Sequence, residues 1–162
     1  KLDRIDLYQL HRFDPKVPAD ETLGFLKDAQ AKGLIRHIGL SEVDVAQIEQ
    51  ASRFFEVVSV QNLYNFGNQR WNDVLAWCEQ HQTAFIPWYP LDAGNLAAEK
   101  ALKKVADKHR ATELQVALAW LLKASPVTLL IPGTSSAAHL EENIAAANIQ
   151  LDGDDIRLLP RK

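Results

Sequence analysis

The residues best equipped for chemistry recur at intervals, each just after a short apolar run. His11 follows Ile5–Leu10, Ser41 follows Ile35–Leu40, and Gln61 and Asn62 follow Val57–Val60. Trp88 and Tyr89 close the run from Ala84, and Gly133-Thr134-Ser135-Ser136 follows Thr128–Ile131. An imidazole in such a place donates a hydrogen bond to a substrate oxygen. The amides suit a carboxamide, which presents both a donor and an acceptor. A flat ring stacks on a heterocycle. Pro90 follows it in Pro87-Trp88-Tyr89-Pro90-Leu91, and lacking an N–H it ends the run and fixes the ring's direction. Glycine and small hydroxyl residues opening a helix leave backbone N–H groups free for an anion. Glu142 and Asn143, in the first turns of that helix, are placed to meet a purine.

Each residue also has a plainer reading. His11 could cap a strand, and Ser41, with Asp44 three residues on, could be a helix N-cap. Gln61 and Asn62 could close a turn, Trp88 and Tyr89 could be core aromatics, and 133–136 could do no more than cap the helix. The acidic pair Asp154 and Asp155 reads as an exposed first helical turn. Cys78, inside a helical pattern, reads as a small buried apolar residue.

The five runs are short and β-rich, and helical patterns separate them. Asp20–Lys32 repeats Leu23, Leu26 and Ala29 every three residues and stops at Gly33. Val43–Arg53 and Trp71–His81 are shorter helices. Ala97–His109 and Glu113–Lys123 follow, the second behind a Thr112-x-x-Gln115 capping box, then Ala137–Ala147 and a start near Asp152. Strict alternation predicts an α/β fold of five parallel strands with crossover helices, either an open doubly wound sheet or part of a (β/α)8 TIM barrel. A mean repeat of roughly 31 residues multiplied by eight gives roughly 250, the size of a complete barrel. In both architectures chemistry belongs at the carboxyl ends of the strands, where the polar residues fall.

Composition excludes other classes. Of the chain's residues 47% are apolar and 24% charged, an ordinary globular balance. The net charge of −3 and the absence of a basic block speak against nucleic acid. No apolar run approaches the roughly 20 residues of a membrane helix. One cysteine forbids an intrachain disulfide or a cysteine metal cluster, and no histidine pair has metal-ligand spacing. A cytoplasmic location is expected. Methionine is missing even at position 1, which points to a piece of a longer polypeptide.

Taken together, the motifs resemble the aldo-keto reductase family. The resemblance rests on Asp6-Leu7-Tyr8-Gln9-Leu10-His11, Ile38-Gly39-Leu40-Ser41, Val60-Gln61-Asn62-x-Tyr64-Asn65, Pro90-Leu91, and Ile131-Pro132-Gly133-Thr134-Ser135-Ser136 with His139-Leu140-Glu141-Glu142-Asn143. It implies that residues 1–162 are the C-terminal part of a single barrel domain, strands four to eight, in an enzyme that reduces aldehydes or ketones. His11 then matches the catalytic histidine, Ser41 and Gln61 the groups on the nicotinamide carboxamide, and Trp88 the stacking ring. Pro90 and Leu91 fall on the cofactor pocket, Gly133, Thr134, Ser135 and Ser136 around the adenosine phosphate, and Glu142 and Asn143 at the adenine. The implied cofactor is NADP(H) ahead of NAD(H), and the partner a small carbonyl substrate; the oligomeric state stays open. Glu42 stands where many members have asparagine, and Gly133 and His139 where many have basic residues. Pro-Trp-Tyr-Pro-Leu resembles bacterial branches that include pyridoxal reductases. The family's acid, a tyrosine assisted by lysine and aspartate, has no counterpart here, so the chain alone is expected to be a poor catalyst. The competing readings are a non-catalytic nucleotide-binding or regulatory α/β module and a flavodoxin-like domain.

Overall fold

The structure is a computed structural model that describes residues 2–159, with 97 and 98 described through their backbone alone. In chain order it contains β1 (Ile5–Leu10), α1 (Ala19–Ala31), β2 (Ile35–Ser41), α2 (Val45–Ser52), β3 (Val57–Gln61), α3 (Asn72–Gln80) and β4 (Ala84–Phe85). A 3-10 segment (Asp92–Ala98), α4 (Lys100–His109), α5 (Glu113–Ala124), α6 (Ala137–Ala145), a 3-10 turn (Ala146–Asn148) and α7 (Gly153–Leu158) follow. The strands form one parallel sheet in the order β1-β2-β3-β4. Parallel neighbours cannot be joined by a hairpin, so α1, α2 and α3 are the crossovers.

The chain divides into two compact units. One holds the residues up to Asn62 together with Asp73–Phe85; the other holds Leu63–Asn72 and the residues from Ile86 onward.

The first unit contains the sheet. Helix α1 buries Leu23, Leu26 and Ala29, one face of a helix, and ends at Gly33, whose φ of 73° suits glycine. The Leu34 amide closes that turn by donating to the Ala29 carbonyl at 3.0 Å. Ile38, Leu40, Ile48, Val60, Leu75 and Phe85 form the core. Gly39 lies where three strands touch: a Cβ there would stand 2.2 Å from Ser59 Oγ, and Gln9 Nε2 donates to that hydroxyl at 3.3 Å.

The second unit is organised on α5, which is apolar on most of its circumference and buries Val116 through Leu121. The Trp120 ring packs edge-on against Phe66 with centroids 5.3 Å apart and lies nearly parallel to Tyr64 at 6.3 Å. Its indole N–H donates to the Leu159 carbonyl at 2.9 Å, so the buried donor is satisfied.

Two expectations need correction. The sheet has four strands among the described residues, not five. Run 128–131 holds a single bridge residue, Thr128, and Leu129 and Ile131 are exposed rather than packed on a ladder partner. Run 84–88 contributes only Ala84–Phe85 to the sheet, because Pro87 and Pro90 have no N–H to donate. The second correction is Asp155, which is fully buried. Lys108 Nζ donates to its Oδ1 at 2.7 Å, and His109 Nε2 lies 2.7 Å from its Oδ2. Both partners come from α4, more than forty residues earlier, beyond the reach of a local reading.

Candidate functional site

In the first unit, three adjacent parallel strands end side by side. Leu10 is in register with Leu40, and Ser41 with Gln61, so His11, Ser41 and Gln61 emerge at one edge of the sheet. Ser41 is the last residue of β2 and buried, at 6% exposure. It does not cap α2; Asp44 does, in a capping box with Gln47. Ser41 Oγ donates to the Gln61 carbonyl at 2.9 Å and accepts from Arg12 Nη1 at 3.1 Å. The same Arg12 nitrogen donates to the His11 carbonyl at 2.6 Å. The His11 ring is exposed and makes no hydrogen bond among the described residues.

Asn62 takes the plainer of its two readings. It is fully buried, its Oδ1 accepting from the Val43 amide at 3.1 Å and its Nδ2 donating to the Val43 carbonyl at 2.8 Å. Both ends of the amide are thus closed on backbone, and Asn62 positions the turn that carries Ser41. Glu42, inside that turn, has a φ of 52°.

In the second unit, Trp88 pairs with Leu63 as an isolated parallel bridge and is half-buried. Asn65 ties the neighbouring turns together: its Oδ1 accepts from the amides of Gly67 and Asn68 at 2.9 Å, and its Nδ2 donates to the Tyr89 carbonyl at 3.0 Å. The loop it holds is strained. Tyr89, Asp92 and Ala93 all have φ between 49° and 59°. Non-glycine residues in this region cost of order 1–3 kcal/mol each and concentrate at ligand clamps and active sites.

That loop forms one wall of a cavity of about 380 Å³. Leu91, Ala93 and Gly94 line it on one side, and Gly133, Thr134, His139, Glu142 and Asn143 on the other. Five of the anticipated residues therefore meet: Leu91, Gly133, Thr134, Glu142 and Asn143. Trp88, Pro90, Ser135 and Ser136 do not line it. Ser136 caps α6, its hydroxyl accepting from the His139 amide at 3.4 Å, while Thr134 Oγ1 accepts from the Ser136 amide at 3.1 Å. The amides of Ala137 and Ala138 keep no partner among the described residues, which leaves two N–H groups at the helix start for an acceptor. Gln115 braces the wall, its Nε2 donating to the Glu142 carbonyl at 3.0 Å.

Sequence reasoning missed Arg12, Ala93, Gly94 and Gln115. An arginine after a histidine reads as a solvated loop residue, and Gln115 as half of a capping box. The run Asp92-Ala93-Gly94 did carry a turn signal.

The aldo/keto reductase family profile matches residues 1–161. An uncharacterised oxidoreductase of Schizosaccharomyces pombe is 51% identical over 153 residues, covering 93% of this chain and 50% of that protein. The pyridoxine 4-dehydrogenase of Escherichia coli is 40% identical, over 86% of this chain and 49% of its own. Among solved structures, an aldo/keto reductase from Klebsiella pneumoniae in complex with NADP and acetate has a TM-score of 0.83 at 30% identity, covering 99% of this chain and 60% of that one. The chain belongs to the aldo/keto reductase family, and its fold is part of that family's (β/α)8 barrel. It spans about half the length of the curated relatives it matches.

Proposed function

We propose that the chain is the C-terminal part of an NADP(H)-dependent reductase of aldehydes or ketones, contributing most of the cofactor pocket and the catalytic histidine. One observation carries this reading: His11, Ser41 and Gln61 end three adjacent parallel strands in register, with the Ser41 hydroxyl already oriented by hydrogen bonds.

The residues fit a nicotinamide dinucleotide in two places. At the sheet edge, Ser41 and the half-buried Gln61 offer an acceptor and an amide to a carboxamide. In the second unit, the two open amides at the start of α6, beside Gly133 and Thr134, suit a phosphate, and Glu142 and Asn143 suit an adenine. Trp88 is proposed to stack on the nicotinamide, with Pro90 and Leu91 fixing its loop and Ser135 and Ser136 completing the phosphate turn. The bound cofactor supplies the hydride.

The chain's own residues then bind and orient. His11, with an unencumbered ring, donates a hydrogen bond to the substrate oxygen and stabilises the negative charge developing on it. No acid of the family type lies on this chain: Tyr64 is fully buried and donates to Asn72 Oδ1 at 2.7 Å, and Tyr8 and Tyr89 lie outside the motif. Proton delivery is therefore assigned to residues of a longer polypeptide. Such an enzyme's surroundings are proposed to be cytoplasmic. NADP(H) is proposed ahead of NAD(H) because the Klebsiella relative was solved with NADP. The cavity is lined by His139 and by no lysine or arginine, so discrimination at the 2′-phosphate should be small.

The test compares the 162-residue chain with the complete polypeptide in carbonyl-dependent oxidation of NADPH. A pyridine aldehyde is the first substrate to try, since the Escherichia coli relative is a pyridoxine dehydrogenase. The complete polypeptide should turn over and the short chain should not. His11→Ala should lower kcat about 100- to 1,000-fold with cofactor affinity kept. Turnover by the short chain would overturn the proposed division of labour. Cofactor binding without turnover in the complete polypeptide would favour the non-catalytic module.

A further inference from the structure

We propose that Arg12 is a cofactor-binding residue that donates a hydrogen bond to the oxygen of the nicotinamide carboxamide, an inference that rests on the reading above. A carboxamide has one oxygen that accepts and an NH2 that donates, so its binding site must supply both kinds of partner. Ser41 cannot be the donor. Its proton goes to the Gln61 carbonyl at 2.9 Å, and one of its two lone pairs already takes Arg12 Nη1 at 3.1 Å. One lone pair remains, and it can only accept.

The neighbouring residues narrow the choice further. Both ends of the Asn62 amide are closed on Val43. Glu42, next to Ser41, carries a carboxylate, which when ionised only accepts. Among the described residues, the side-chain donors left at this sheet edge are the His11 ring, which the reading above gives to the substrate oxygen, the Gln61 amide and Arg12. The two N–H groups of Arg12 Nη1 are engaged with the His11 carbonyl and Ser41 Oγ, which hold the planar head in place. Among the described residues, its Nε and Nη2 protons carry no partner and no carboxylate pairs with the guanidinium. A group seated against the last lone pair of Ser41 therefore meets a pre-oriented cationic donor beside it. Charge-assisted hydrogen bonds are about twice as strong as neutral ones, so Arg12 outweighs Gln61 as the anchor of the oxygen.

The experiment measures binding, with no turnover required. Tryptophan fluorescence follows the titration of NADPH, and of its thionicotinamide analogue, into the complete polypeptide and its Arg12→Ala variant. Sulfur in place of the carboxamide oxygen accepts hydrogen bonds poorly. The variant should bind NADPH about 10- to 100-fold more weakly, the usual effect of losing a hydrogen bond to a charged group. It should bind the analogue within about threefold of the parent, because that contact is already weak there. Equal losses for both ligands would mean that Arg12 only shapes the site, and would overturn the proposal. Unchanged NADPH affinity in the variant would overturn it as well, leaving the nicotinamide reading intact. Failure of the parent to bind either ligand would overturn that reading, and the role of Arg12 with it.

Discussion

Ser41 and Asp44 lie three residues apart, and both are of the type that caps helices. The structure separates them by backbone: Ser41 still belongs to β2, and its hydroxyl turns to the next strand, while Asp44 has the extended φ and ψ of an N-cap. The candidate role of Ser41 was legible because the apolar run ends there; Arg12 was not, because its significance lies in a contact 29 residues away. Cys78 was also legible. It is fully buried, and burial pushes its thiol up to about 12, so almost no reactive thiolate exists at neutral pH. A thiol-specific disulfide reagent should leave the folded chain unlabelled and label one site per chain after unfolding in guanidinium. Gly39 makes a sharper demand, since a methyl there collides with the short side chain of Ser59 and nearly touches its carbonyl. Gly39→Ala should cost about 1–3 kcal/mol in chemical denaturation, the usual penalty for overpacking. Adding Ser59→Ala should return part of it.

Helices with a clean apolar face were readable to within a residue or two. Helix α1 follows Leu23, Leu26 and Ala29, and α5 follows its capping box. Runs 84–88 and 128–131 were not, because a strand is a property of two segments and composition describes one. The same limit hid the tie between α4 and α7. Burial alone would raise the Asp155 carboxyl. Hydrogen bonds from Lys108 and His109 and from the Asp152 amide outweigh it and hold the group well below the usual carboxylate range. The same contacts raise Lys108, through Asp152 first and then Asp155. A lowered carboxylate contributes stability that is whole above the unfolded value of about 3.9 and fades as the pH falls below it. A raised lysine contributes stability that is whole below about 10.4 and fades as the pH rises through its folded value. Asp155→Asn should lower stability by about 2–3 kcal/mol near neutrality, less than for a wholly buried pair because Lys108 is partly exposed. In melts from pH 2 to 7, the gap in Tm between parent and variant should hold steady above about pH 4 and close below it.

The chain as a whole carries apolar surface where a monomer would hide it. Strand β1 lies at one end of the strand order, and its Ile5, Leu7 and Tyr8 are 46%, 43% and 37% exposed. An edge strand of this kind is a template for further pairing. The isolated 162-residue chain should therefore self-associate as its concentration rises, and Leu7→Lys should shift sedimentation velocity profiles towards the monomer. The parallel register, a separate feature of the same sheet, brings His11, Ser41 and Gln61 together at the carboxyl ends of β1, β2 and β3. In the second unit, Asp155, Lys108 and His109 form a knot whose members have little use for one another's absence. A descendant that loses the acid leaves two bases facing a void, and one that loses both bases strands a charge in the interior. Across a lineage these three positions should change together or stay as they are, and a sequence collection large enough to show covariation would reveal the knot without any coordinates.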